Sequence, residues 1–188
     1  MRDFGVPKDS AQESFTDTDS RIMKRSGGGA YDYGYNVHTA VDETAQFVVA
    51  AELSNNAADS VRLLVLLGAV KANLGEGAPG QVLADAEFRS EAVFEQLKDS
   101  PSELIVALGR EGRQALNIDA EQYPCTAAMD AKLRTPQGQA AYRKRKWIVE
   151  APNGWIKSVL GFRQFSLRGL NKAECKLVCL ALNLRRAF

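Results

Sequence analysis

Gln81-Val82-Leu83-Ala84-Asp85-Ala86 sets three apolar residues in a row and then an acid. So short an apolar run reads as a buried strand that delivers Asp85 at its carboxyl end. Upstream, Tyr35, Val37, Thr39 and Val41 alternate with Asn36, His38 and Ala40. After Asp42-Glu43-Thr44 comes Phe47-Val48-Val49-Ala50-Ala51-Glu52-Leu53, and the pair predicts a β-hairpin. Asp42 opens its turn, where an aspartate is commonplace. Residues 59–74 place Val61, Leu64, Val65, Leu67 and Leu74 at helical spacings, with Asp59 as the N-cap and Gly75 and Gly77 as the stop. Downstream, Ser90 can cap a helix over about 91–98, and Leu104-Ile105-Val106-Ala107-Leu108 reads as another strand.

The outer parts are less regular. Residues 1–34 show no period and read as an irregular lead-in, and residues 111–137, with Pro124 and Pro136, read as an irregular insertion. From Gln139 to about Val149 a basic helix is predicted, and Pro152 then either kinks it or opens a new one. Asn171-Lys172-Ala173-Glu174 fits a capping box before a final helix whose apolar face is Leu177, Val178, Leu180, Ala181 and Leu184. Cys175 and Cys179, four apart on that helix, read as small core residues. The order β-β-α-β-α-β-α-α predicts one α/β domain over 1–188, a mixed sheet whose site lies at the carboxyl ends of its parallel strands.

A formal net charge of +1 conceals a strong asymmetry. Residues 1–131 carry 11 Lys/Arg against 21 Asp/Glu, whereas residues 132–188 carry 13 Lys/Arg against Glu150 and Glu174 alone. Such asymmetry points to a nucleic-acid or membrane surface or, more plainly, to a solvated basic face. Because Trp147, Ile148, Val149, Trp155, Phe162, Phe165 and Leu167 are interleaved with the cations, residues 132–188 should be folded and DNA-facing. No apolar run approaches the length of a membrane span, and the polar N-terminus has no signal-peptide core, so a cytoplasmic protein with no membrane partner is expected.

Two acids stand out. Asp85 is placed to hold a divalent cation or, more plainly, to cap the next turn. Glu150 is the sole acid between Asp130 and Glu174 and sits among Arg143, Lys144, Arg145, Lys146 and Lys157. It reads either as a salt-bridged surface residue or as a metal ligand flanked by phosphate-binding cations. On a continuous helix Lys146, Glu150 and Lys157 share one face.

Four strings together resemble DDE-type transposases of bacterial insertion sequences, in the IS-four-like branch. They are Thr16-Asp17-Thr18-Asp19-Ser20-Arg21-Ile22-Met23-Lys24, Gly34-Tyr35-Asn36-Val37-His38, Val82-Leu83-Ala84-Asp85-Ala86, and Ile148-Val149-Glu150-Ala151-Pro152-Asn153-Gly154-Trp155-Ile156-Lys157. The resemblance covers nearly the whole chain and ends with Gly161-Phe162-Arg163-Gln164-Phe165-Ser166-Leu167-Arg168-Gly169-Leu170. It implies an RNase H-like fold in which two Asp and one Glu bind two Mg²⁺ (or Mn²⁺) ions. The enzyme would cut transposon ends and join them to target DNA, and a homodimer is compatible with it. Asp85 matches the second aspartate, with Glu87-Phe88 in place of the more usual Gly-Tyr, and Glu150 matches the glutamate. In the Tyr-(2)-Arg-(3)-Glu-(6)-Lys signature, Lys157 fits the lysine and Lys146 stands at the arginine. Arg143 stands at the tyrosine, with Tyr142 one residue early. Asp85 and Glu150 are thus the implied catalytic and metal residues, and Arg143, Lys144, Arg145, Lys146, Lys157, Arg163 and Arg168 the implied DNA contacts. No strand precedes the first hairpin in this reading, so the central strand with the first aspartate is expected upstream of Met1. The alternative function is then that of an incomplete transposase, which binds DNA or the full-length enzyme without cutting.

Overall fold

The computed structural model describes residues 13–24, 30–55, 62–75, 77, 79–109, 117–169 and 174–188. The predicted hairpin is present as β3 (Asn36–Val41) and β4 (Val48–Ser54), antiparallel, with Asn36 opposite Ser54. Its turn is built by Asp42, whose carboxylate accepts the N–H of Ala45 at 2.8 Å and of Phe47 at 2.6 Å. Both carboxylate oxygens are thereby engaged in local turn geometry, as the plainer reading of Asp42 holds. A shorter hairpin precedes it, β1 (Arg21–Lys24) with β2 (Tyr31–Gly34), inside the stretch read as an irregular lead-in. Four-residue strands whose outer positions are charged or exposed leave no period to detect.

Helix α1 (Arg62–Leu74) packs on β3 and β4 and buries Leu63, Leu66 and Val70. Of the residues read at helical spacings, Leu64 and Leu67 are partly buried, Val65 and Leu74 are exposed, and Val61 lies outside the described residues. It ends at Gly75, whose φ of +77° is the left-handed conformation that favours glycine. Asp59, the expected N-cap, and Asn171 of the expected capping box lie outside the described residues. Next come β5 (Gln81–Ala84), a 3-10 turn over Ala86–Phe88, α2 (Glu91–Gln96) and β6 (Glu103–Val106). β5 and β6 pair in parallel, Gln81 opposite Glu103, and Ser90 Oγ accepts the Val93 N–H at the start of α2 as expected. Ala84, Val93, Phe94, Leu104, Val106, Leu108 and Met129 share one core with Leu63. Among the described residues β3 and β5 do not pair, so the four predicted strands form two separate two-stranded sheets.

The region read as irregular contains α3 (Pro124–Arg134). Its cap is supplied from elsewhere in the chain. Tyr123 at the N-cap offers no side-chain bond, and Glu91 of α2 instead accepts the N–H groups of Cys125 and Thr126 at 2.7 and 2.8 Å and the Thr126 hydroxyl at 2.6 Å. Helix α4 (Pro136–Ser158) follows after Thr135, which caps it through the Gly138 N–H. A Cβ at Gly138 would run into the Lys132 carbonyl, so glycine is what lets the two helices meet at so tight a corner. Helix α4 starts earlier and ends later than predicted, and it continues through Pro152. Helix α5 (Glu174–Ala187) packs on β4 and buries Cys175, Cys179 and Leu182, the cysteines lying in the core as expected. Leu177, Leu180, Ala181 and Leu184 of the expected apolar face are instead exposed. Asn183 of α5 both donates to and accepts from the Val48 backbone at 2.9 Å, mimicking a strand partner on β4.

Removal from water pushes the Glu91 carboxyl up, but its bonds from Thr126 and Cys125 outweigh this and hold it below the usual carboxylate value. Stability from this cap is therefore full above the unfolded glutamate pKa of about 4.3 and lost as pH falls through the lower folded value. Glu91→Gln should lower stability at neutral pH by on the order of 1 kcal/mol. Thermal unfolding followed at descending pH checks this: the gap from wild type should close under acid conditions, and a gap that persists there would mean that the charge is not what caps α3.

Candidate functional site

Asp85 stands at the carboxyl end of β5, half-buried, where the parallel strand hands over to the 3-10 turn. Its Oδ1 accepts the Glu87 N–H at 3.2 Å, and its Oδ2 lies 3.8 Å from a guanidinium nitrogen of Arg145 on α4. The plain turn-capping reading and the charged-site reading thus hold together, one on each oxygen. A separation of 3.8 Å is charge proximity rather than a hydrogen bond, so Oδ2 keeps accepting capacity. Arg145 also lies over the Tyr142 ring, 5.2 Å from its centroid, and its buried Nε finds no hydrogen-bond partner among the described residues. The side chain facing Asp85 is therefore Arg145, held over the Tyr142 ring three positions earlier, while Arg143 and Lys146 are exposed.

That division follows from the helix itself. Arg143, Lys146, Trp147, Glu150, Gly154 and Lys157 recur at intervals of three and four and form one exposed ridge along α4. On the other side Ile148 and Pro152 are buried, and Trp155 and Ile156 pack against Val48, Ala51, Cys179 and Leu182. Because the helix is continuous, Lys146, Glu150 and Lys157 do share a face. Glu150 is five positions after Arg145, a rotation of about 140°, so it projects away from the Asp85 side into solvent. Among the described residues no three His, Cys, Asp or Glu side chains gather as a metal site.

A clasp that the sequence did not announce holds α4 to the β3–β4 turn. Gln46, at a φ of +56°, donates to the Trp147 carbonyl at 3.1 Å, and Arg186 of α5 donates to the carbonyls of Ala45 and Gln46. Lys144 pairs with Glu43 of the same turn at 3.0 Å. Nothing in the composition of a turn marks such residues, because their partners lie about a hundred positions or more away. Beyond α4, Arg163 and Arg168 are exposed in the segment leading to α5. That segment is pinned where Glu174 accepts the N–H groups of Ser166 and Leu167 at 2.9 and 3.0 Å.

A strand-end acid beside an arginine, a helix carrying a cationic ridge and a basic segment after it thus occur together in one domain. A family model described as the transposase DDE domain matches residues 10–184. The chain belongs to this family. No curated protein and no solved structure matches it. The transposase domain has a mixed α/β, RNase H-like fold, serves DNA transposition and binds DNA, and DDE transposases use divalent metal ions. No described helix is long and apolar enough to cross a membrane.

The cations are not equivalent as DNA-binding groups. Lys144 is engaged by Glu43 and Arg145 by Asp85, whereas Arg143, Lys146 and Lys157 are exposed and pair with no described carboxylate. Changing Arg143, Lys146 and Lys157 to Gln together should therefore reduce the slope of log affinity against log salt by about 0.9 for each phosphate that is no longer neutralised. Fluorescence anisotropy of a labelled duplex measures it. An unchanged slope would place the DNA on another face of the domain.

Proposed function

We propose that this transposase domain acts in metal-dependent phosphodiester cleavage and strand transfer, with Asp85 and Glu150 as metal ligands and Mg²⁺ or Mn²⁺ as the ion. The observation that carries the reading is Asp85 at the end of a parallel strand, half-exposed, with one oxygen held only loosely by Arg145. A hard divalent cation takes carboxylate oxygens and retains exchangeable waters, which suits a ligand set in that position. The donors fit in kind but are not gathered: Glu150 projects away from the side of α4 that meets Asp85, and the two supply two carboxylates where the family uses three. When bound, the ions would activate water and the 3′-hydroxyl and offset charge growing on the phosphate.

The chain's own residues account for the rest. The Arg145 guanidinium sets a positive charge beside Asp85 and holds that side of α4 toward the acid. Tyr142 restrains that guanidinium from behind. Arg143, Lys146 and Lys157 track the backbone on either side of Glu150, and Arg163 and Arg168 extend the interface past the end of α4. A cytoplasmic setting goes with this reading.

Nicking of supercoiled plasmid in Mg²⁺ or Mn²⁺, compared with binding of a labelled duplex, separates chemistry from binding. Asp85→Ala and Glu150→Ala should each abolish nicking and leave duplex affinity within about threefold, since neither acid neutralises a phosphate. Calorimetric titration with Mn²⁺ should show weaker binding for Asp85→Ala. Nicking that survives both substitutions, or an unaltered Mn²⁺ isotherm, would remove these acids from the site.

A further inference from the structure

The Thr16-Asp17-Thr18-Asp19-Ser20 string has no part in the site above, yet the structure gives it a definite one. Asp17 Oδ2 accepts the Tyr35 hydroxyl at 2.8 Å and the Gly169 N–H at 3.1 Å, and Oδ1 accepts the Asp19 N–H at 3.3 Å. Its backbone is fixed in turn, because Ser20 donates to the Asp17 carbonyl from both N and Oγ and Asp17 N donates to Ser14 Oγ, with both serines buried. The Tyr35 ring meets Phe165 edge-on at 5.7 Å, and Phe165 meets Phe162 at 5.4 Å. Gly169 has a φ of +87°, which favours glycine, so its N–H can be turned toward the carboxylate. Two stretches about 150 residues apart are thus one joint, and it seizes the segment between α4 and α5 at Phe165 and at Gly169.

In sequence Arg163 lies between Phe162 and Phe165, which meet edge-to-face, and Arg168 immediately precedes Gly169. Both are exposed and form no ion pair with a described acid. Asp17 binds the Gly169 N–H next to Arg168 in the chain, and its carboxylate is used by neutral donors, so it orders the segment without taking the arginine's charge. We propose that Asp17, with Tyr35, is a positioning residue for DNA binding that holds Arg163 and Arg168 in place for phosphates. This rests on the reading of those two arginines as DNA-binding groups.

A mutant cycle on the whole 188-residue chain, read by duplex affinity across salt and by thermal unfolding, tests it. Arg163→Gln with Arg168→Gln should flatten the salt slope by the equivalent of about two phosphates, and Asp17→Ala should flatten it by about one or more of the same two. Combining all three changes should cost little beyond the arginine pair, because the aspartate acts only through the arginines. Tyr35→Phe should shift binding in the same direction by a smaller amount while leaving the unfolding temperature near wild type. That variant carries the cycle if Asp17→Ala does not fold. Decreases in affinity that simply add, or a full salt slope in the variant that carries the cycle, would overturn the positioning role while leaving the arginines as phosphate-binding groups. If the arginine pair itself leaves binding unchanged, both the positioning role and the reading of this segment as DNA-binding fall.

Discussion

The unbroken run of α4 through Pro152 is the constraint on which the rest of this domain depends. A proline inside a helix removes one N–H, sets its ring against the preceding turn and costs about 3 kcal/mol. Here Pro152 is fully buried beside Ile148, and the same face continues into Trp155 and Ile156. Burial of that face offsets the cost, and Gln46 clasps the Trp147 carbonyl, one residue before the Ile148 carbonyl that Pro152 leaves without its helical donor. Because the helix continues, one of its sides faces β3, β5 and β6 and another carries Arg143, Lys146, Glu150 and Lys157 in line. Were it broken at the proline, Lys157 would no longer be phased with Glu150.

The charge asymmetry takes on a structural meaning in this light. Several acids of the front part are consumed by backbone N–H groups: Asp17 by Gly169 and Asp19, Asp42 by Ala45 and Phe47, Glu91 by Cys125 and Thr126. Glu174 does the same for Ser166 and Leu167. Carboxylates used in this way fix turns and helix starts, and ionised acceptors make the stronger hydrogen bonds. They leave Arg143, Lys146, Lys157, Arg163 and Arg168 without described anionic partners. A polyanion is the partner that such a surface suits. Asp85 is different, since one of its oxygens caps a turn and the other faces Arg145.

Local patterning made much of the domain legible. The alternation over 35–53 marked the hairpin, the apolar triplet at 82–84 marked β5, and Asp85 stands where that strand ends. Ser90 caps α2, Gly75 ends α1, and Cys175 and Cys179 are buried. What failed to show was equally local in origin. The strands at 21–24 and 31–34 are too short and too polar to carry a period, and α3 begins at a proline behind a tyrosine that cannot cap it. Within the site, Lys146 and Arg143 filled the signature positions by counting, whereas Arg145 faces Asp85 and Tyr142 lies against Arg145.

The sequence by itself determined the fold class, the strand that ends at Asp85, the basic surface of residues 132–188 and the family, because each is written in short-range periodicity, charge and order. The tertiary structure alone decided which side of α4 meets Asp85 and that α3 is a helix. It also decided that Asp17 belongs with Gly169. Each of these depends on a partner far along the chain, Arg145 for Asp85, Glu91 for Cys125 and Thr126, Asp17 for Gly169. A hydrogen bond or ion pair across such a separation exists only once packing has brought its ends together, and no local propensity encodes it.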